Sequence, residues 1–503
     1  MKSGIFFGHT PTTSCNFYLL IHLVYMSTTI NQNSQFKPSL GLLDATMLVA
    51  GSMIGSGIFI VSSEIAYSLG SAGWLTAMWV LAGIVTIIAA MSYGELSGMF
   101  PRAGGQYVYL REAYNPFIAF LFGWTQFGVI QTGTIAAVAM AFAKYTDYVF
   151  PVLGESTVIL PLGIVDITVG QLVAIGSIVL LTFINTRGVQ HGKWLQTIFT
   201  LAKLLSLFGL IVFGFLLGAK AEIWNANWVN AWAPAALTKD ATTGTISSVA
   251  LGGLTLLGAI AVSMKGSLFS SDAWNNVTFI AAEIKNPQKN IGRSLFLGTL
   301  IVTIIYVSTN LMYLSVLPFN EIAFAPNQRV GVAAAQAIFG GVGSLAIAVM
   351  IMISTFGCNN GLILAGARMY YTMAEDGVFI KKAAVLNKNS VPANGLWLQC
   401  IWASILCLTG SYNKLLALVI FGVLLFYVLT IYGIFRLRKT QPDVPRPYKA
   451  FGYPVLPAIY IVVASALALL LLYTETTYAL FGLGIIILGI PFYYIAMKTK
   501  KTS

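Results

Sequence analysis

The chain has 503 residues, of which 57% are hydrophobic and only 9% are charged. This balance is typical of an integral membrane protein and excludes a soluble globular domain. Lysine and arginine exceed aspartate and glutamate, 28 against 16, which in a soluble protein would suggest a nucleic-acid partner. No nucleic acid is predicted here, because the positions of the basic residues along the membrane spans explain the excess.

Residues 1–36 are predicted to form a cytoplasmic tail. The apolar stretch Phe17–Tyr25 is too short to cross a bilayer, contains His22 and is not followed by a small-residue cleavage site, so a signal peptide is not favoured. The polar segment Ser27–Lys37 is an ordinary lead-in to a first span. Met26 is therefore a candidate for the true start of translation.

Apolar runs long enough to cross a bilayer recur along the rest of the chain. They are Leu42–Ser68, Trp74–Phe100, Pro116–Phe150, Val169–Asn185, Leu195–Leu217, Ile246–Ile280, Ser294–Leu317, Gly343–Met373, Leu396–Thr409, Leu415–Arg436, Val455–Tyr473 and Tyr478–Met497. The pattern predicts an all-α membrane protein with about twelve transmembrane helices.

The basic residues are divided unequally between the two faces that these spans define. If both termini are cytoplasmic, most of the lysines and arginines fall on the cytoplasmic side. The opposite side then collects only Lys144, Lys220, Lys239, Arg329 and Lys414. This asymmetry obeys the positive-inside rule and predicts cytoplasmic termini.

The first span is interrupted by Gly51-Ser52-Met53-Ile54-Gly55-Ser56-Gly57. Glycine and serine both disfavour a continuous helix. Unwound backbone at membrane depth persists only where protein or a water-filled cavity covers it. The run therefore predicts a cavity beside the first span, and a small-residue stripe for close helix packing is the alternative.

The sixth span contains a second interruption, the polar block from Lys265 to Asn276. With five spans per unit, the sixth is the counterpart of the first, and an odd repeat length gives the two units opposite orientations. Paired interrupted spans indicate a transporter with a substrate site near the middle of the membrane.

Several motifs together resemble one family of permeases. They are Tyr93–Ser97, Phe100–Leu110 and Glu112–Tyr114 around the link between spans 2 and 3, Gly55–Phe59, Leu201–Leu205, Ser271–Asn276 and Glu283–Pro287. In this combination the chain resembles the amino acid/polyamine/organocation (APC) permeases, and most of all their L-type amino acid transporter branch, from Lys37 to about Arg436. The resemblance implies a LeuT-type fold, with a core of five plus five inverted helices in residues 37–437, then a connecting loop and two appended helices in residues 438–503.

The resemblance also implies where an amino acid would bind. Its carboxylate would meet N–H groups freed at Gly55, Ser56 and Gly57, at the positive end of a half-helix. Its ammonium group would meet carbonyls near Met53 and in the segment Phe269, Ser270, Ser271 and Asp272. Phe269 would cover the substrate from outside, and an ordinary core aromatic is the alternative.

Lys203 lies in the middle of an apolar span, too deep to reach the membrane surface, and needs a cavity or a polar partner. Similar permeases place this lysine against the carbonyls of the unwound first span, where sodium-coupled relatives hold a sodium ion. The implied consequence is sodium-independent transport. A proton-linked role for this lysine remains open.

Asp272 has three interpretations. An ionised carboxylate facing the cavity would select cationic substrates. The same carboxylate could instead hold Lys265, seven residues earlier and about two helical turns away, or accept hydrogen bonds from the broken segment. Lys265 itself is unusual for the family pattern.

Other polar residues within the spans are candidates for cavity lining, although contacts between helices explain them equally well. They are Gln131, Asn275, Tyr306, Asn310 and Asn360. Charged residues gather at the predicted cytoplasmic ends and form either a gate of ion pairs or a solvated surface. They are Glu95, Arg102, Arg111, Glu112, Glu283, Lys285, Lys289 and Arg293.

No catalytic constellation, phosphate-binding motif or metal cluster is present in the sequence, so neither an enzyme nor a cofactor is predicted. The sequence predicts a secondary amino acid transporter of the plasma membrane that works by alternating access, by sodium-independent exchange or facilitated transport. A proton-coupled amino acid or amine symporter is the alternative, and a channel-like conduit or transport-fold sensor is a remote one.

Eukaryotic L-type carriers attach to a single-span partner through a cysteine between spans 3 and 4. The corresponding stretch here, Pro151 to Asp166, contains no cysteine. No disulfide-linked partner is therefore expected, which suits a bacterial inner-membrane protein. The four cysteines, Cys15, Cys358, Cys400 and Cys407, have no metal-ligand spacing.

Overall fold

The computed structural model describes residues 38–154, 157–161, 166–240, 242–389, 391–409 and 412–501, with only the backbone described in 189–198, 412–414 and 498–501. The predicted tail of residues 1–36, including Met26, lies outside these ranges. The described part of the chain is almost entirely helical.

The described residues contain eighteen α-helices, numbered here in chain order. They are α1 (Leu42–Met53), α2 (Gly57–Leu69), α3 (Ala72–Met99), α4 (Gln106–Ala113), α5 (Pro116–Thr125), α6 (Gln131–Val149), α7 (Val169–Thr186), α8 (Val189–Phe213), α9 (Ala221–Trp228), α10 (Gly253–Ser270), α11 (Asn276–Phe279), α12 (Pro287–Val316), α13 (Phe319–Ala323), α14 (Val330–Glu375), α15 (Ala393–Thr409), α16 (Tyr412–Thr440), α17 (Val455–Thr474) and α18 (Thr476–Lys501).

Most membrane spans in the described residues coincide with the predicted apolar runs, but the start of the sixth run, Ile246–Ala250, is a β-strand and the helix of that span begins at Gly253. In the described residues, ten helices are long and apolar enough to cross a membrane, and the pair α1 and α2, bent by 45°, makes an eleventh when counted as one broken span. The run predicted at Leu396–Thr409 forms α15, which is apolar but has only 17 residues. The predicted count of twelve is therefore not confirmed, whereas the all-α membrane architecture is.

Two short hairpins interrupt the helical pattern. Strands β1 (Val158–Pro161) and β2 (Asp166–Thr168) pair antiparallel, as do β3 (Ala235–Lys239) and β4 (Ile246–Ala250). They follow the third and fifth spans, so both lie at the same face, which we call the outer face; the opposite one is the inner face. In the second hairpin, the backbone N–H groups of Thr243 and Thr242 donate to Asp240 and hold the pKa of its carboxyl below its ordinary value.

Glycines allow the long helices to pack closely. A Cβ atom at Gly83 of α3 would lie 2.1 Å from Cγ2 of Thr303 in α12, and one at Gly298 of α12 would lie 2.5 Å from Cγ1 of Val49 in α1. Small residues at such crossings let helix backbones approach where no water drives association. The helices α1, α3 and α12 therefore form a tightly packed group around the first break.

An ionic network ties the loop between α16 and α17 to the inner end of α3. Glu95 is fully buried and accepts hydrogen bonds from Arg438 at 2.9 and 2.7 Å and from the backbone N–H of Ala450 at 2.8 Å. Arg446 lies 3.4 Å from the same carboxylate. Beside it, the ring of Tyr448 occupies the space where Gly94 has no side chain.

We expect the substitution Glu95→Gln to lower the free energy of unfolding by about 3 kcal/mol, because it leaves partly buried arginines without their counter-charge. Thermal unfolding of the detergent-solubilised protein measures the effect. Glu112→Gln is the matched control, since Glu112 is 31% exposed and, among the described residues, pairs with its neighbour Arg111, an arrangement that contributes little. Equal stability of the two variants would contradict the assigned role of the network.

Candidate functional site

The first break is short. Helix α1 ends at Met53 and α2 begins at Gly57, so only Ile54, Gly55 and Ser56 leave the helical path. Ser56 occupies the N-cap position of α2 and is 1% exposed. The interruption is narrower than the seven-residue run predicted from the sequence, because Gly51 to Met53 continue α1.

The second break has a strained backbone. Helix α10 continues through Lys265 to Ser270, and the chain is then non-helical from Ser271 to Asn275 before the short α11. Ala273 adopts a φ of 65°, a left-handed conformation that costs free energy in a residue with a side chain. Such strain persists only where the surrounding structure enforces it, and it is concentrated at functional sites.

The two breaks lie against each other. The Tyr306 hydroxyl is 3.0 Å from the carbonyl oxygen of Met53, the last residue of α1, and 3.0 Å from that of Ser270, the last residue of α10. A Cβ atom at Gly57 would lie only 1.9 Å from Oγ of Ser270. The glycines of the first span thus allow a break in the helix and also close packing against a neighbouring helix. Both interpretations of this run, a broken span and a small-residue packing stripe, therefore hold in the structure.

Lys203 of α8 points into the first break. Its Nζ donates to the carbonyl oxygen of Gly51 and, at 3.0 Å, to that of Ile54. The side chain is 1% exposed. A buried ammonium group is costly unless it is hydrogen-bonded. Here its hydrogen bonds satisfy carbonyl oxygens that the end of α1 leaves without helical partners.

A small cavity adjoins the second break. Its wall combines apolar side chains with several carboxamides and one carboxylate. The lining residues are Gln106, Phe122, Gln126, Ile130, Gln131, Thr134, Asp272, Ala273, Asn275, Asn276, Leu362, Val423, Phe426 and Tyr427. Gln126 opens a π-helical turn, Gln126–Ile130, between α5 and α6, and such turns are frequent at functional sites.

The carboxamides at this cavity are held in place by hydrogen bonds. Gln126 donates to Gln131 at 3.0 Å, and Gln131 donates to the carbonyl of Leu362 at 2.7 Å. Asn275 donates to Gln106 at 3.4 Å. These contacts fix the orientation of the amides before any substrate enters.

Asp272 and Lys265 do not pair with each other in the structure. Asp272 accepts a hydrogen bond of 2.6 Å from the Tyr427 hydroxyl. Lys265 points the other way, toward Glu64 at 3.3 Å and Glu475 at 2.8 Å. The pairing considered from the sequence is therefore replaced by two separate contacts.

The remaining predicted residues fall at several places. Phe269 and Ser271 are buried next to the second break. Asn310 accepts from Ser62 at 2.7 Å and Asn360 accepts from Asn185 at 2.9 Å, which are contacts between helices. Of the five residues proposed as cavity lining, Gln131 and Asn275 are among those that line this cavity.

Ion pairs cross the inner end of the molecule. Arg368 of α14 lies 2.8 Å from Glu283, which precedes α12, and Arg111 of α4 lies 2.6 Å from Asp376. Burial acts to lower the pKa of Arg111, but Asp376 outweighs it and the pKa is raised. The sequence identified one member of each pair and missed the partners, because Arg368 and Asp376 lie far along the chain.

The Tyr427 contact was also missed, since a lone tyrosine in an apolar run carries no signal. Trp274, within the second break, packs against two other aromatic rings. Its ring centroid lies 4.8 Å from that of Tyr93 and 5.3 Å from that of Tyr427.

Comparison with known proteins agrees with this geometry. The family model for amino acid permeases matches residues 40–490. The chain belongs to the amino acid permease family. The permease is 30% identical over 477 residues to the serine/threonine exchanger SteT of Bacillus subtilis (strain 168), which covers 94% of this chain and 99% of that relative.

Mammalian transporters are similar over nearly the same length. The b(0,+)-type amino acid transporter 1 of Mus musculus is 28% identical over 471 residues, covering 93% of this chain and 90% of the relative. The large neutral amino acids transporter small subunit 2 of Homo sapiens is 28% identical over 469 residues, covering 92% and 81%. The permease is thus a multi-pass membrane protein of the APC type, with the paired broken spans of the LeuT-type fold.

Proposed function

We propose that the permease moves amino acids by alternating access, as a sodium-independent exchanger or facilitated carrier. The observation that carries the proposal is the Lys203 ammonium group on the carbonyls of Gly51 and Ile54. A fixed cation at these carbonyls repels a second cation at the same place. The permease therefore has no need of sodium to complete the first break.

The two breaks offer complementary groups to a zwitterion. Backbone N–H groups of Gly55, Ser56 and Gly57 at the start of α2 suit the carboxylate. The carbonyls of Met53 and Ser270, which the Tyr306 hydroxyl contacts, suit the ammonium group, together with those of Phe269, Ser271 and Asp272. The substrate side chain would then extend toward the carboxamide-lined cavity.

The relatives support exchange in particular. One of them is named as a serine/threonine exchanger and others as amino acid transporters, and none of these names favours the proton-coupled alternative. We place the permease in the plasma membrane of a bacterium, with both termini cytoplasmic. In the described residues Cys358, Cys400 and Cys407 are free and buried, which supports function without a disulfide-linked partner.

Uptake of a radiolabelled amino acid mixture into proteoliposomes tests this function. At zero sodium, we expect uptake into vesicles loaded with unlabelled amino acids to exceed uptake into empty vesicles. Omitting the internal amino acids distinguishes exchange from facilitated transport. Uptake only under an inward proton gradient would contradict the proposal and favour the symporter, whereas electrical current far above carrier turnover would favour a channel.

A further inference from the structure

Three charged side chains meet near the outer face, away from the substrate site. The Lys265 Nζ lies 2.8 Å from Oε1 of Glu475 and 3.3 Å from Oε1 of Glu64. The side chains of Lys265 and Glu64 are 3% and 8% exposed, and that of Glu475 is 23% exposed. The group carries two carboxylates for one ammonium group.

The three residues belong to different parts of the fold. Glu64 lies on α2, the outer half of the first broken span, and Lys265 lies on α10, the outer half of the sixth. Glu475 occupies the turn between α17 and α18, the two helices that follow the spans containing both breaks. The contact thus joins two outer half-helices to the appended pair of helices.

Helices α2 and α10 are packed closely against each other. A Cβ atom at Gly266 would lie 2.6 Å from Cγ1 of Val61, and one at Gly57 would lie 2.5 Å from Cβ of Ser270. Close packing of this kind leaves no room for one helix to slide past the other. Lys265 and Glu64 therefore lie on two helices that are in direct contact, whereas Glu475 lies on neither of them.

Stability alone is a weak reason for such a group. Desolvating buried charges costs on the order of several kcal/mol, and well-packed apolar side chains of similar size often stabilise a protein as well or better. A charged contact between two parts of the fold, by contrast, forms only where opposite charges face each other, and it breaks when the two parts separate. The second carboxylate matters here, because Glu64 would keep Lys265 paired if Glu475 separated from it.

We propose that Lys265, Glu64 and Glu475 form an outer latch that holds α2 and α10 against the turn between α17 and α18. The proposal rests on the alternating-access function proposed above. When the latch is closed, the two half-helices cover the substrate site from the outer face. Opening toward that face separates Lys265 from Glu475, while the Lys265 to Glu64 pair travels with the half-helices.

Accessibility of a buried cysteine tests the latch without any substrate. Ser63 of α2 is 1% exposed and donates to the carbonyl of Ala323 in α13 at 2.7 Å, so it is covered in the closed arrangement. In a variant without native cysteines, Ser63→Cys reports outer opening through its rate of reaction with a maleimide. Purified protein in detergent exposes both faces to the reagent.

We expect Glu475→Gln to raise the labelling rate on the order of fivefold, the change that corresponds to about 1 kcal/mol for a partly exposed ion pair. Glu222→Gln is the matched control, because Glu222 is an exposed carboxylate in the link between α8 and α10. It should leave the rate unchanged. An unchanged rate in a folded Glu475→Gln variant would overturn the latch.

A second pair of variants guards against misfolding. Glu475→Asp keeps the charge but shortens the side chain, so labelling should fall between the parent and Glu475→Gln. The double substitution Lys265→Glu with Glu475→Lys restores an ion pair between positions 265 and 475. It also places the introduced carboxylate beside that of Glu64, and the two repel each other. We therefore expect faster labelling in this variant than in the parent. Graded labelling in these variants supports the latch, and identical labelling in all of them contradicts it. This labelling result does not depend on transport, so failure of the proteoliposome uptake assay would not change it.

Discussion

Amino acid exchange is expected to be lost when Lys203 is replaced by alanine. The Lys203 ammonium group holds the carbonyls of Gly51 and Ile54 at the end of α1. Without it these carbonyls lose their donor in a site that is closed to solvent, at a cost of about 3 kcal/mol. Exchange into amino-acid-loaded proteoliposomes at zero sodium should fall by at least about 100-fold, the rate change that corresponds to this free energy.

The control for this experiment is Lys144→Ala, at a lysine that lies in the outer part of α6, 3.4 Å from Gln328. This variant should retain most of the exchange. Adding sodium to Lys203→Ala is informative, because a small cation can then reach the vacated carbonyls and restore part of the activity. Parent-like exchange by Lys203→Ala at zero sodium would contradict the role assigned to the lysine.

Lys203 could be recognised from the sequence because a charge in the middle of an apolar span is chemically rare and must have a partner. The two breaks were also predictable, since three glycines and two serines within residues 51–57 disfavour a continuous helix and the polar block of the sixth span is too rich to face lipid. Their extents were not, because helix ends depend on tertiary contacts. The polar block of the sixth span thus contains a helical turn as far as Ser270 as well as the break.

Other parts of the site had no sequence signal. Tyr427 and Glu475 are ordinary residues in or beside apolar runs, and only the packing of distant helices brings them to Asp272 and Lys265. The hairpins at the outer face were missed because short exposed strands lack a clear hydrophobic period. Lys265 was recognised as unusual, but a sequence cannot show which side of a helix faces which neighbour.

The substitution Gly57→Ala is expected to separate the two breaks. A Cβ atom at this position would lie 1.9 Å from Oγ, 2.5 Å from Cβ and 3.0 Å from Cα of Ser270. Rotation of the serine side chain relieves only the first of these clashes. The helices must therefore move apart, and overpacking of this kind costs about 2 kcal/mol. We expect a lower unfolding temperature in detergent and an exchange rate reduced by more than about tenfold.

Double variants show whether this single close approach is responsible. Ser270→Ala should not rescue Gly57→Ala, because the Cβ atom at position 270 remains 2.5 Å away. Ser270→Gly should restore much of the unfolding temperature, since only the backbone carbon of residue 270, at 3.0 Å, then lies near the added methyl group. Gly176→Ala is the matched control, because nothing lies within 4 Å of a Cβ atom there. Equal rescue by Ser270→Ala and Ser270→Gly would show that the hydroxyl, and not the approach of the two backbones, limits the space between the breaks.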